Sequence, residues 1–366
     1  MNELARALAR RIRGAGPLSI AAYMAEALGN PEHGYYTTRD PLGPRGDFIT
    51  APEISQIFGE LVGLWCADTW EHMGRPDPVI LAEFGPGRGT LMEDALRALR
   101  VAPDFRRAIR LHLVEMSPVL REAQRAALGH ASPSWHDTAA SLPDGPLISI
   151  ANEFIDALPI RQFVKSEKGW HERLVGLAAD NEDLVFVLEP KASMGAEALI
   201  PRSLRAAPTG SLCEVSMAAA SLARFLGTRL AAQTGAALFI DYGHFPSACG
   251  ETFQALRRHR RHDVLADPGD ADLTAHVDFA AFAAAANEAG AATWGPVSQG
   301  AFLKSLGLAE RAARLLSNAT PAQAAAIDAA CRRLIDPAGM GTLFKVLALG
   351  NPALSAPAGF AGDQLL

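Results

Sequence analysis

Four short strand-like runs separated by stretches of helical period constrain this chain more than any other feature. Val79-Ile80-Leu81-Ala82-Glu83-Phe84, Arg110-Leu111-His112-Leu113-Val114-Glu115, Ser134-Trp135-His136-Asp137 and Pro146-Leu147-Ile148-Ser149-Ile150-Ala151-Asn152 read as strands. Between them lie a helix over 90–100 and another capped at Ser117, with Pro118 in its first turn. Strands that are apolar along their length are covered on both faces, and intervening helices make parallel crossovers. The texture resumes with a helix over 216–232 and strands over 236–242, 291–297 and 343–349. The expectation is a doubly wound α/β sheet.

The rest of the 366 residues is arranged around that sheet. Residues 1–28 read as two helices broken at Gly14-Ala15-Gly16-Pro17, with Leu4, Leu8 and Ile12 as a buried stripe. The arginine-rich start would also suit a transit peptide, but the stripe favours an ordinary first helix. A Gly/Pro-rich stretch over 29–50 ends in a capping box, Thr50 with Glu53, ahead of a helix carrying Ile54, Ile57, Phe58, Leu61, Leu64 and Trp65 on one side. Strands over 162–166, 171–177 and 184–188 break the alternation and read as an antiparallel insertion. The expected divisions are a helical cap and lid loop at 1–77, the first α/β half at 78–160, a β-rich lobe at 161–210 and the second half at 211–366. The last carries an insertion at 243–290, whose basic run, Arg257-Arg258-His259-Arg260-Arg261-His262, reads as a solvated face.

Composition excludes several classes. The net charge is −6, without the basic footprint of a nucleic-acid binder. Cys66, Cys213, Cys249 and Cys331 lie far apart, at no zinc spacing, and read as reduced thiols. No apolar run approaches the ~18 residues that a membrane span needs.

The chemistry concentrates at strand ends. Glu83-Phe84-Gly85-Pro86-Gly87-Arg88-Gly89 joins the first strand to a helix. Its glycines let a ligand approach the backbone, and the helix start offers N–H groups. A dinucleotide fingerprint would need glycine where Thr90 stands, which demotes a dehydrogenase. Acidic-x-G-x-G-x-G instead resembles motif I of class I S-adenosylmethionine-dependent methyltransferases, which implies that Glu83, Gly85, Gly87 and Gly89 hold the donor's methionine end. Glu115 closes the second strand, where a carboxylate can accept both hydrogen bonds of a ribose diol. Asp137 ends the third, where these enzymes commonly meet the adenine amino group. Glu115 and Asp137 also read as an ordinary strand-end acid and a turn-former. After the fourth strand, Asn152-Glu153-Phe154-Ile155-Asp156-Ala157-Leu158-Pro159 brings two carboxylates rather than the Asn/Asp-Pro-Pro-aromatic of amino-methyltransferases of DNA and glutamine. Paired carboxylates suit a guanidinium. As helix-start acids they would only complement a dipole.

Further segments narrow the resemblance. Residues 46–60 (GDFITAPEISQIFGE), Gly34-Tyr35-Tyr36, residues 152–159, Ile240-Asp241-Tyr242-Gly243, residues 272–279 (DLTAHVDF) and Gln299-Gly300-Ala301-Phe302-Leu303 run collinearly over about residues 17–350. Together they resemble the MidA (DUF185) family, bacterial and mitochondrial relatives of a respiratory complex I assembly factor. The resemblance implies a class I methyltransferase sheet of about seven strands, the last antiparallel, with an N-terminal helical cap and an inserted lobe. It implies S-adenosylmethionine as donor, S-adenosylhomocysteine as product and no metal. For the mitochondrial member it implies symmetric dimethylation of an arginine on the 49-kDa subunit of complex I. It places Glu153, Asp156 and Asn152 in catalysis, with Asn152 also at the cofactor. Asp47, Thr50, Glu53, Tyr242 and His276 fall in the lid and substrate-facing parts, with the loop over 40–50 (Gly43, Pro44, Gly46) closing over the donor. The implied partner is a protein of the 49-kDa type, with no nucleic acid and no membrane insertion, and a homodimer is compatible with the chain. The compartment would be the cytoplasm in a bacterium and the mitochondrial matrix in a eukaryote. Two rivals stay open: a non-catalytic assembly chaperone that keeps the donor pocket, and a small-molecule methyltransferase.

Overall fold

The computed structural model describes residues 1–43, 46–179 and 183–360. The chain divides into two compact units, one of residues 49–155, 222–243 and 282 onward, the other of residues 1–48, 156–221 and 244–281. These lines do not coincide with the divisions expected at 77/78, 160/161 and 210/211.

The first unit is built on seven strands, β1 Val79–Phe84, β2 Ile109–Val114, β3 Ser134–His136, β4 Leu147–Asn152, β5 Gly235–His244, β6 Ala292–Ser298 and β7 Phe344–Gly350. Their order is β3-β2-β1-β4-β5-β7-β6. Strands β1 to β5 run parallel, and β7 is antiparallel to both β5 and β6. Registers of Phe84 with Val114 and Ala151, and of Ile240 with Asn152, bring the carboxyl ends of β1, β2, β4 and β5 to one edge. The strand order reverses at β1 and β4, and open α/β sheets bind ligands beside such a reversal. Every residue of β1 and β4 is buried, the pattern of strands covered on both faces.

Helices α1 (Gln56–His72), α2 (Thr90–Ala98) and α3 (Pro118–Leu128) follow or precede these strands. Helices α1 and α2 pack backbone to backbone. A Cβ on Gly59 would lie 2.8 Å from the Leu91 carbonyl oxygen, and one on Gly63 2.7 Å from the Ala95 Cα. The start of α1 corrects the sequence reading. Thr50 makes no side-chain cap, the chain forms a short turn over Ala51–Ile54, and extended Ser55 breaks it. The Ser55 side chain accepts the Ile57 N–H and starts the long helix. The capping box fails because the Glu53 carboxylate is engaged elsewhere. It accepts the Thr90 hydroxyl at 2.6 Å and faces Arg88 at 3.7 Å. Helices Gln299–Ser305, Leu308–Leu316 and Pro321–Ile335, not anticipated, complete the unit, the last carrying a Thr320–Gln323 capping box.

In the second unit, strands Arg161–Ser166, Gly169–Leu177, Leu184–Leu188 and Leu212–Val215 form an antiparallel sheet with the short strand Leu18–Ser19. The N-terminal helices Glu3–Ala15 and Ile20–Gly29 share its core. Leu4, Leu8 and Ile12 cluster with Tyr23, Met24, Ile160 and Val175, so the expected stripe is buried. The basic run forms a hairpin, Gln254–Arg257 against Arg260–His262, with Arg258 and His259 in the left-handed region at its tip.

Candidate functional site

The site grows from the end of β1. Gly85, Gly87 and Gly89 all have positive φ (61°, 54° and 87°), where a side chain is strained. The Phe154 ring fills the space beside Gly85, where a Cβ would approach within 2.7 Å. Left-handed Gly89 takes the N-cap position of α2, whose first-turn N–H groups therefore receive no side chain. Pro86 O accepts the Gly89 N–H at 2.8 Å and closes the turn. Glu53 on Thr90 and near Arg88 props it from the α1 side.

Strand alternation aims three polar side chains at this turn. Glu83 pairs in register with Leu113 and Ile150, so Glu115 and Asn152, two residues further along their strands, project on its face. Glu83 is 3% exposed, and its Oε2 has no partner among the described residues. Burial, and secondarily the Glu115 carboxylate, push it up to about 8. Asn152 Oδ1, also buried, is likewise without a partner among the described residues. Glu115 is raised above the usual carboxylate range by burial, against the pull of its hydrogen bonds. Those bonds come from the Ser117 N–H at 2.8 Å and the Gln124 amide at 3.2 Å. Asp137 is largely exposed and ion-paired to Arg121 at 2.6 Å, and Arg121 also donates to the Glu115 carbonyl.

Beyond β4 the chain turns sharply at Glu153, a non-glycine residue with φ of 50°. Its Oε1 accepts the Ala51 N–H at 2.9 Å and the Asn152 amide at 3.1 Å. Buried Asp241, toward the end of β5, accepts the N–H groups of Phe154 and Ile155 at 3.1 and 2.9 Å and holds the turn. Strain of this kind persists where the surroundings over-determine it, often at functional sites. Tyr242 packs edge-on to Phe344 in the same unit.

The structure thus brings together Glu83, Gly85, Gly87, Gly89, Glu115, Asn152, Glu153 and Glu53, with Thr50 a few residues before the last. Asp47, Asp156 and His276 belong to the other unit. There the Asp47 carboxylate accepts the Tyr35 hydroxyl and the Arg258 N–H, at 2.7 and 2.6 Å. Asp156 is buried, lies near Asp272 and accepts the Ala275 N–H on its carbonyl. The His276 N–H donates to the Thr252 hydroxyl at 2.8 Å. Residues 40–43 and 46–48 of the expected lid fold on themselves, the Gly43 and Asp47 N–H groups donating to the Phe48 and Pro41 carbonyls. Pro44 lies outside the described residues.

Two contributors escaped the sequence reading. Gln124, fully buried, donates to the Gly87 carbonyl at 2.7 Å and to Glu115, while its own carbonyl accepts the Trp135 indole N–H at 2.8 Å. Its signal was a polar residue within the apolar i, i+4 stripe of Leu120 and Leu128. Asp241 lay in the quoted segment Ile240-Asp241-Tyr242-Gly243, but nothing in the sequence showed that it would hold the Glu153 turn.

A glycine turn with an orphaned buried carboxylate beside it, and a second strand-end carboxylate one strand over, fits a ligand carrying an amine, a carboxylate and a ribose. With this strand order they define a class I, S-adenosylmethionine-binding methyltransferase. Residues 61–297 match the family Methyltransf_28, described as "Putative S-adenosyl-L-methionine-dependent methyltransferase". The chain belongs to this family of S-adenosylmethionine-dependent methyltransferases. It is 37% identical to the mitochondrial protein arginine methyltransferase NDUFAF7 of Danio rerio, over 96% of this chain and 88% of that one. It is 38% identical to the Homo sapiens protein of the same name, over 95% and 83%. A COG1565 superfamily structure from Burkholderia thailandensis, bound to S-adenosylhomocysteine, superposes with a TM-score of 0.85 at 31% identity, covering 98% of this chain and 94% of that one.

Proposed function

We infer that this chain methylates an arginine of a protein partner, and that the partner is a complex I subunit of the 49-kDa type. The single observation that carries the reading is the strained, tethered carboxylate of Glu153 at the end of β4, next to the glycine turn. The names of its relatives support the arginine substrate.

S-adenosylmethionine supplies a methyl on a sulfonium, which leaves as a neutral thioether. The residues have only to bind, orient and exclude water. In this reading Glu83 takes the donor's ammonium, the N–H groups at Gly87–Thr90 other than that of Gly89 its carboxylate, and Glu115 its ribose, with Asp137 near the adenine. Glu153 orients the guanidinium in line with the methyl and accepts the proton that leaves the nitrogen as it is alkylated, so the product is again a guanidinium, and the proton passes from the carboxylate to solvent. Asn152 holds that carboxylate through its amide. Asp156 sits in the other unit, so the clamp is argued on Glu153 alone. A bacterial member would work in the cytoplasm and a eukaryotic one in the matrix.

The test is methyl transfer from labelled donor to a purified 49-kDa-type subunit, located by peptide mass. Wild type should label an arginine, and Glu153→Gln should lose about 1.5–3 kcal/mol of transition-state stabilisation, roughly ten- to a hundred-fold in rate, while keeping donor affinity. Donor binding without transfer would return the reading to an assembly chaperone. Equal loss of affinity and rate would make Glu153 a donor ligand.

A further inference from the structure

The four cysteines, far apart in sequence, are not all far apart in the fold. Cys213 lies in strand Leu212–Val215 of the antiparallel sheet, opposite Phe163, and is fully buried. Cys249 is half-buried and packs on the small cluster that contains Cys213, Phe163, Trp170 and Ile200. Cys213 and Cys249 thus share one packed cluster. Their backbones are joined next door, where the Gly250 N–H donates to the Leu212 carbonyl at 2.8 Å. A few residues on, Glu214 accepts the N–H groups of Thr252 and Phe253, both at 3.1 Å, together with the Thr252 hydroxyl. Facing residues beside such a backbone hydrogen bond have Cα atoms roughly 4.5–5.5 Å apart, inside the range that a disulfide spans.

We propose that Cys213 and Cys249 are a redox pair that closes to an intramolecular disulfide when the protein meets a low-molecular-weight disulfide of the glutathione class. The Cys249 thiolate, on the accessible side, attacks one sulfur of the oxidant and releases one small thiol. The Cys213 thiolate then attacks the Cys249 sulfur and releases the second. Two protein thiols and one small disulfide become one protein disulfide and two small thiols. Burial raises the Cys213 thiol, which makes its attack the slow step, and that attack is intramolecular because the mixed disulfide sits in the same packed cluster. The hydrogen bond from Gly250 to Leu212 already holds the two segments side by side. It locks the segment 245–253 onto the sheet. Cys66, fully buried in the other unit, and Cys331 have no thiol partner among the described residues.

The full-length protein, folded by circular dichroism, is equilibrated with reduced and oxidised glutathione at graded ratios, quenched with acid, then unfolded, alkylated and weighed intact. A loss of about 2 Da, with one peptide pair joined through Cys213 and Cys249 and iodoacetamide labels confined to Cys66 and Cys331, is expected. Cys249→Ser, at the half-buried position, should keep the fold and abolish that loss. The oxidised wild type should melt several degrees above the reduced form, with no such gap in Cys249→Ser. Four alkylated cysteines at the most oxidising ratio would overturn the proposal. So would a stable glutathione adduct on Cys249, or a crosslink involving Cys66 or Cys331.

Discussion

At the scale of single residues the site is defined by what it leaves unpaid. Glu83 is a carboxyl whose folded value, about 8, lies well above its ordinary 4.5. The ligand-free folded state therefore holds its proton over a window in which the unfolded chain has lost it. Stability conferred by the neutral acid is present below about pH 4.5 and declines as pH rises toward 8, by up to about 5 kcal/mol. Glu83→Gln should flatten that slope in pH-dependent melting and stabilise the ligand-free protein at pH 8, while S-adenosylhomocysteine binds it at least tenfold more weakly. A slope unchanged by the substitution would remove Glu83 as its source. Gln124 works one layer back, tying the Gly87 carbonyl to Glu115. Gln124→Ala should cost about 1–3 kcal/mol in unfolding experiments, because it leaves the Trp135 indole N–H without its acceptor. Calorimetry should show donor affinity falling with it. Gly87→Val, at φ 54°, should abolish binding outright.

At the scale of elements, the contact of α1 with α2 sets where the glycine turn stands. Gly59→Ala would drive a methyl to 2.8 Å from the Leu91 carbonyl oxygen and 2.7 Å from the Asp94 Cβ, which only a shift of α2 relieves. We expect a loss of about 1–3 kcal/mol in thermal unfolding, accompanied by weaker donor binding because α2 begins in the turn itself. Gly129, at the end of α3 with right-handed helical backbone and open space around its Cα, is the contrast. Gly129→Ala should leave donor binding unchanged and hold or raise stability by a few tenths of a kcal/mol. If both substitutions behaved alike, close packing of the two helices would not be what positions the turn. The capping box read at Thr50–Glu53 shows how an element start can be misjudged. The local pattern was present, but a hydroxyl from α2 outcompeted the backbone for the Glu53 carboxylate.

At the scale of the whole molecule, a chain of two compact units need not unfold in one step, and a ligand stabilises the unit that holds its site. S-adenosylhomocysteine at a hundred times its Kd should add about 2.7 kcal/mol to the sheet-bearing unit. Hydrogen exchange should slow over 83–90, 115–124 and 152–154, and slowing confined to 161–215 would misplace the site. What the sequence determined by itself is what depends on near neighbours: the largely apolar runs of β1 and β4, the helices between them, the buried stripe of Leu4, Leu8 and Ile12, and the glycine spacing after Glu83. These follow from period, burial and φ, all properties of a short window. The fold decided everything that pairs distant positions. It set Gln124 against Gly87, turned Asp241 under the Glu153 turn, drew Glu53 away from its own helix start, packed the N-terminal helices with the inserted strands, and laid Cys249 beside Cys213. A side chain's donor or acceptor capacity is written in its identity, but which partner meets it is settled only when the sheet closes and burial makes an unmet hydrogen bond costly.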